Sequence, residues 1–161
     1  MLTRYQLKKY AEKFLDDNYG LELVVPLELN GRLKRACGRF VSYANPRKPK
    51  VVEMSKSFIE NNEPKLVLDV LRHELVHYAL FMQNKPNSDG HPVFENELKR
   101  LGIVSQKTID KYEIASELQI YQCKECNHEF KLTKRLKNNG INHKCKCGGK
   151  LLDRGKRLIV S

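Results

Sequence analysis

The segment Arg72-His73-Glu74-Leu75-Val76-His77-Tyr78 determines how this chain is interpreted. It carries the pattern H-E-x-x-H inside an apolar stretch, which predicts a buried helix over about residues 64–83. Residues four apart share one face of a helix, so His73 and His77 can place two imidazoles on one metal ion. Glu74 is offset by one position. Its carboxylate would therefore stand beside the metal, where it can accept a proton from a zinc-bound water.

A catalytic zinc usually has three protein ligands and one open position, so the sequence must supply a third ligand. One zincin pattern needs a histidine six residues after the second one, but that position is Gln83. His91, in the polar loop after the helix, is the nearest remaining histidine, and spacing ranks it slightly above Glu95 and Glu97. Asp89 is a weaker option. The alternative to a metal site is a pair of core histidines satisfied by hydrogen bonds.

A second metal site is predicted from the cysteines, because thiols in a reducing compartment are more often metal ligands than disulfides. Four of the five lie in the last quarter of the chain, and they are Cys123, Cys126, Cys145 and Cys147. Together they predict a four-cysteine zinc ribbon, with a redox pair as the alternative. The second knuckle is C-x-C, one residue shorter than usual, so His128 or His143 is a possible substitute ligand. Cys37 stands alone and is interpreted as a small buried residue.

Charge and composition limit the class of protein. The formal net charge is +11, and residues 119–161 hold 11 Lys/Arg against 3 Asp/Glu, or +8. Such a basic segment, which includes Lys131, Lys134, Arg135 and Lys137, predicts a polyanionic partner, with nucleic acid the first candidate. The chain has no apolar run of 18 residues and no signal-peptide pattern at its start, so we expect a cytoplasmic protein without a membrane partner.

Hydrophobic periodicity and turn residues predict the remaining elements. The predicted helices are Thr3–Asp17, the H-E-x-x-H helix, Val93–Leu101 and an amphipathic segment Thr108–Leu118; the predicted strands are Leu21–Glu28, Leu33–Tyr43 and Lys50–Ser55. Asn30-Gly31 predicts a hairpin that joins the first two strands, and Gly38 marks a bulge or a close approach. We hypothesise that a substrate lies extended along Lys50–Ser55 as an edge strand.

Three parts of the sequence together resemble the SprT-like family of zinc metallopeptidases. They are His73-Glu74-x-x-His77, Gly90-His91-x-x-Phe94 and the paired-cysteine tail. The resemblance implies that His73, His77 and His91 bind zinc and that Glu74 is the catalytic base. The chain departs from the family at Pro92, where the family often has glycine. The family also includes the Spartan-type proteases, which degrade proteins crosslinked to DNA.

The sequence therefore predicts an α+β protein with two parts. Residues 1–118 would form a zincin-like metallopeptidase body, a small sheet with the H-E-x-x-H helix, and residues 119–161 a basic zinc-ribbon module. The predicted function is zinc-dependent hydrolysis of peptide bonds, directed to DNA-associated proteins, with one catalytic and one structural zinc ion. The alternative is a non-catalytic, zinc-containing nucleic-acid-binding protein. A glutamate in the base position argues against it, because a purely structural site does not need that glutamate.

Overall fold

The computed structural model describes residues 1–160, apart from the side chain of Asn139. It divides into two compact units, residues 1–114 and 115–161, whereas the sequence predicted a boundary after residue 118. Within residues 1–160, no helix combines the length and the apolar character that a bilayer crossing requires.

The first unit contains five helices and three strands. In chain order they are α1 Arg4–Tyr19, β1 Leu27–Asn30, β2 Gly38–Ala44, β3 Arg47–Ser55, α2 Lys56–Asn61, α3 Pro64–Met82, α4 Pro92–Leu101 and α5 Gln106–Ile109. Thr3 caps α1 through a reciprocal capping box with Gln6, and Gly20 ends that helix in a left-handed conformation with φ of 60°. The second helix, α2, was missed by the sequence analysis.

The three strands of the first unit form one mixed sheet with β3 in the centre and β2 at one edge. Strand β1 runs parallel to β3, with Leu27 opposite Val52, and β2 runs antiparallel to β3. The predicted hairpin at Asn30-Gly31 is therefore wrong. After Asn30 the chain crosses to the other side of β3, and Ser55 at the end of β3 holds the crossing segment, since its backbone N–H donates to the Cys37 carbonyl at 2.8 Å.

Helix α3 forms the centre of the first core. It begins with Pro64 at its first position, where the missing N–H costs no intrahelical hydrogen bond. Twelve of its residues are buried, which explains the apolar pattern on nearly all its faces. The fully buried side chains packed in this core include Leu7, Leu15, Leu27, Met54, Phe58, Leu71, Leu75 and Tyr78. A polar residue on α3 is thus held in a rigid, dry environment.

The second unit is a three-stranded antiparallel sheet with a short 3-10 helix. Its elements are β4 Ala115–Cys123, β5 Glu129–Leu132, the 3-10 helix Lys137–Gly140 and β6 Leu151–Val160, and the strand order is β5-β4-β6. The predicted helical segment Thr108–Leu118 is wrong. Helix α5 stops at Ile109, and from Ala115 the chain pairs with β6 along most of its length. The expected mixed α/β architecture with small sheets is confirmed.

Candidate metal centre

Three side chains of the first unit converge on one point, and we call them the His–Asp group: His73, His77 and Asp89. The two histidines lie four residues apart on α3, so their imidazoles project from one face of that helix. Asp89 comes from the loop between α3 and α4. His73 is fully buried, whereas 44% of the Asp89 side chain is exposed.

Hydrogen bonds to the backbone fix the protonation of both imidazoles. The Nδ1–H of His73 donates to the Val104 carbonyl at 2.8 Å, and the Nδ1–H of His77 donates to the Asn87 carbonyl. A carbonyl oxygen can only accept, so in each neutral ring the proton sits on Nδ1 and the lone pair of Nε2 is free. This is the outer-shell arrangement that orients histidine ligands in metal sites.

The three free atoms form a nearly equilateral triangle. The two Nε2 atoms are 3.2 Å apart, and Oδ1 of Asp89 lies 3.0 Å from Nε2 of His73 and 3.2 Å from Nε2 of His77. In a tetrahedral site with bonds of 2.0–2.1 Å, ligand atoms are separated by about 3.3–3.4 Å. The triangle therefore fits one face of such a site. Three lone pairs this close repel one another unless a cation lies between them.

The charges around the triangle favour a cation at this point. Burial would raise the pKa of Asp89, but without a metal ion a proton on Nε2 of His73 or His77 can hydrogen-bond to its carboxylate, and this holds that pKa well below its usual range. Burial would lower the pKa of His73, yet the hydrogen bond to Asp89 and the charge of Glu74 raise it. The site thus concentrates negative charge and attracts a positive partner, either a proton or a metal ion.

Glu74 lines a cavity of about 500 Å³ together with His77 and Asp89. The side chain is 4% exposed, and burial raises the pKa of its carboxyl group, which the charges of His77 and His73 oppose. Gly38 of β2 passes close to it, since a Cβ atom at that position would lie 3.2 Å from Cγ of Glu74. The predicted close approach at Gly38 is confirmed.

Phe94, the last residue of the Gly90-His91-x-x-Phe94 motif that follows α3, packs against the two histidines. Its fully buried ring stacks on His77, with ring centroids 4.0 Å apart, and meets His73 edge-on at 5.2 Å. The first turn of α4 therefore packs directly on both imidazoles. We conclude that Phe94 orients the rings of the two histidines.

The structure does not bring His91 into the His–Asp group, so its role as the third ligand stays a prediction, beside which Asp89 is now a candidate. His91 is exposed and caps the N-terminus of α4, where its Nδ1 accepts the Val93 N–H at 3.1 Å. Pro92 at the first position of α4 fixes His91 as the capping residue. Glu95 is also engaged elsewhere, because it accepts the Gly90 N–H at 2.8 Å, and Glu97 accepts from Tyr19 at 2.7 Å.

The second unit brings together the four predicted thiols, here called the cysteine group: Cys123, Cys126, Cys145 and Cys147. The Sγ atoms of Cys123 and Cys147 are 3.4 Å apart, and those of Cys126 and Cys145 are 3.5 Å apart. These distances exceed a disulfide bond of about 2.05 Å and approach the ~3.8 Å sulfur spacing of a tetrahedral zinc–thiolate site. His128 and His143 are not part of this group.

The short C-x-C knuckle is accommodated by a tight glycine turn. Gly148 has a φ of 87°, and its N–H donates to the Cys145 carbonyl at 2.8 Å. Gly149 passes so close to the thiols that a Cβ atom there would lie 2.5 Å from Sγ of Cys123. The turn after Cys147 therefore requires glycine at both positions, at Gly148 for its backbone conformation and at Gly149 for its close approach to Cys123.

Comparisons with known proteins identify the family of this chain. The SprT-like family model matches residues 4–115, which is the first unit with its His–Asp group. The chain belongs to the SprT-like family. It is 27% identical to Protein SprT-like of Staphylococcus carnosus over 93% of this chain and 95% of that protein. It is 30% identical to Protein SprT-like of Staphylococcus saprophyticus over 76% of each chain.

The relatives extend the family assignment beyond the first unit. Protein SprT-like of Oceanobacillus iheyensis is 24% identical over 94% of this chain and 91% of its own length. The predicted membership of the SprT-like family is confirmed, and both candidate metal groups lie within the region shared with these relatives.

Asp89 is the member of the His–Asp group that the sequence analysis ranked below His91. The signal was present in the dipeptide His91-Pro92. A proline at the first helical position makes the preceding residue the cap, and a capping side chain is turned towards the backbone of its own helix. The backbone carbonyls of Asn87 and Val104 could not have been identified, because carbonyls carry no sequence signature.

Proposed function

We propose that this chain is a zinc-dependent metallopeptidase, with a zincin-type body in its first unit. The observation that carries the proposal is the triangle of three lone pairs at 3.0–3.2 Å beside a buried glutamate. His73, His77 and Asp89 would hold the metal ion. A zinc ion held there would supply a Lewis acid that polarises a carbonyl group and lowers the pKa of a bound water to about 7.

Glu74 would act as general base and then as general acid. It is adjacent in sequence to His73 and lines the same cavity as His77 and Asp89. Its carboxylate would take a proton from the attacking water and deliver it to the leaving amine of the cleaved peptide. Burial raises the pKa of Glu74, and a carboxylate with a raised pKa is a better proton acceptor.

The substrate would lie along β2 rather than β3. The hypothesis that Lys50–Ser55 serves as a free edge is wrong, since β3 is paired on both sides and the Val52 N–H donates to the Pro26 carbonyl at 3.1 Å. Strand β2 is one of the two edge strands, and its residues Gly38 and Phe40 line the same cavity as Glu74. An extended peptide there could add backbone hydrogen bonds to the sheet.

Bound zinc and peptide cleavage, measured together in four proteins, test the proposal. At saturating zinc we expect two equivalents in wild type, two in Glu74→Gln, one in Asp89→Ala and two in His91→Ala. Cleavage of an unfolded protein substrate should fall at least about 100-fold in Glu74→Gln, because the variant keeps the metal but loses the base. Full activity in Glu74→Gln would refute the mechanism. Two equivalents in Asp89→Ala would refute the ligand assignment.

We also propose that the second unit binds DNA without reading its sequence, and so brings the peptidase to DNA-associated proteins. Lys131, Lys134 and Lys137 are exposed, and residues 119–161 carry a formal charge of +8. Such a surface contacts phosphates. Replacing the three lysines with alanine should weaken binding of a labelled oligonucleotide and reduce its salt dependence by about two to three units of log–log slope. An unchanged salt dependence would remove this part of the proposal.

The alternative, a nucleic-acid-binding protein without catalysis, is distinguished by the same variants. It predicts that Glu74→Gln changes nothing except the stability of the first unit. The arrangement of Glu74 in an open cavity beside the His–Asp group favours the peptidase.

A further inference from the structure

Asp89 is held in a different way from the two histidines. His73 and His77 project from a buried helix of nineteen residues, whereas Asp89 lies in a loop and its side chain is 44% exposed. A loop carboxylate can leave the triangle unless something fixes its backbone. The metal site of the proposed function, on which this inference rests, therefore needs an anchor for the Asp89 loop.

The residue that follows Asp89 provides the place for such an anchor. Gly90 has a φ of 82°, a conformation that other residues rarely adopt, and its N–H donates to Oε1 of Glu95 at 2.8 Å. A second hydrogen bond spans Asp89 and Gly90, since the His91 N–H donates to the Ser88 carbonyl at 3.0 Å. The peptide group between Asp89 and Gly90 is thus tied directly to a side chain of α4.

Helix α4 is also the element that sets the imidazoles. Phe94, the neighbour of Glu95, stacks on His77 and meets His73 edge-on. One turn of α4 therefore orients two ligands through Phe94 and the third through Glu95. We infer that Glu95 is a positioning residue that holds Asp89 at the metal by accepting the hydrogen bond of the Gly90 amide.

A different account of Glu95 must be separated from this one. A carboxylate in the first turn of a helix stabilises the helix through its dipole, wherever its hydrogen bonds go. Two substitutions distinguish the accounts. Glu95→Asp keeps the charge but is one methylene shorter and loses the reach to Gly90, while Glu95→Gln loses the charge but keeps an oxygen that can accept the same bond.

The experiment measures zinc affinity at buffered free zinc in the full chain, with the zinc of the cysteine group as an internal reference. We expect Glu95→Asp and Glu95→Ala to weaken zinc binding at the His–Asp group at least about 10-fold, the range found for lost outer-shell partners, with Glu95→Gln closer to wild type. Glu97→Ala, on the same helix but bonded to Tyr19 and Arg100, is the matched control and should keep wild-type affinity.

A second readout needs no metal. Hydrogen exchange of the Gly90 amide in the zinc-free protein should be slow in wild type and Glu95→Gln, and faster in Glu95→Asp. Wild-type zinc affinity in Glu95→Asp, or a loss in Glu97→Ala equal to that in Glu95→Ala, would overturn the inference and leave the metal site intact. Failure of the wild-type protein to hold zinc at the His–Asp group would overturn the proposed function and the inference with it.

Discussion

The two candidate metal groups of this molecule depend on their surroundings in opposite ways. The His–Asp group is attached to α3, a helix with twelve buried residues, six of which belong to the main apolar core. The cysteine group lies in a unit of about 47 residues, whose buried side chains are few and include two of the thiols themselves, Cys123 and Cys145. In the first unit the fold supports the site. In the second unit we expect the site to support the fold.

Glycine has a corresponding role at both sites. Gly38 lets β2 approach Glu74, and Gly149 lets the second knuckle approach Cys123. A Cβ atom at Gly38 would lie 3.2 Å from a carbon of Glu74, while one at Gly149 would lie 2.5 Å from the sulfur of Cys123. Crowding at Gly38 would therefore disturb the proposed catalytic base, whereas crowding at Gly149 would displace a candidate metal ligand on which we expect a whole unit to depend.

Removal of zinc should give the largest effect, and it should change the stability of the two units differently. With a strong chelator we expect β4 to β6 to lose their amide protection, because about 10–16 kcal/mol of apparent zinc-binding free energy contributes to folding in sites of this type. Helix α3 should keep its protection, since its buried apolar side chains hold it in place even when its two histidines lose the metal ion. Hydrogen exchange followed by mass spectrometry measures both. An equal loss of amide protection in the two units, or no loss in β4 to β6, would contradict the idea that only the second unit depends on its metal.

Substitution of Gly38 should damage catalysis more than stability. In Gly38→Ala the new methyl group meets Sδ of Met54 at 2.9 Å and Cγ of Glu74 at 3.2 Å, so Glu74 must shift. We expect a loss of about 1–3 kcal/mol in the free energy of unfolding of the first unit. Cleavage should fall about 10- to 100-fold, because a small misplacement of a catalytic group is costly. Both zinc ions should remain bound, which a zinc assay checks. Unchanged cleavage would show that Glu74 is not the base.

The sequence analysis predicted the structure correctly where residue type and the spacing of apolar residues determine it. The H-E-x-x-H helix was predicted over 64–83 and found as Pro64–Met82, and the four thiols were expected to converge and do. It failed where pairing between distant segments decides. Asn30-Gly31 suits a hairpin locally, but the parallel pairing of Leu27 with Val52 places β3 between the two strands. Local turn chemistry gives no information about that choice.

The candidate metal site also has a part that the sequence predicts and a part that it does not. Its helical ligands follow from spacing alone, but its loop ligand depends on which side chain the loop turns towards α3. Spacing ranked His91 first, and the structure gives that side chain a capping role and places Asp89 in the triangle instead. The carbonyls that fix the two imidazoles belong to Asn87 and Val104, whose side chains give no hint of this function.

The smallest predicted effect concerns the pH dependence of the first unit. Hydrogen bonds from Arg100 and Tyr19 lower the pKa of Glu97, although burial opposes them. A carboxyl group whose folded pKa is depressed stabilises the protein above its unfolded pKa of about 4.3 and loses that contribution as the pH falls. Glu97→Gln should therefore cost about 1 kcal/mol at pH 7 and much less below pH ~3.5.

Thermal unfolding of the first unit at several pH values measures this effect. The difference in melting temperature between Glu97→Gln and wild type should shrink as the pH falls from about 6 to about 3.5, because wild type then loses the same charge. Asn96→Ala, an exposed neighbour on α4, is the control and should show a difference that does not vary with pH. Since Glu97 is bonded to Tyr19 and Arg100 and is not part of the His–Asp group, zinc content at pH 7 should be unchanged in both variants. A pH-independent difference for Glu97→Gln would mean that packing around Tyr19, rather than charge, makes the contribution.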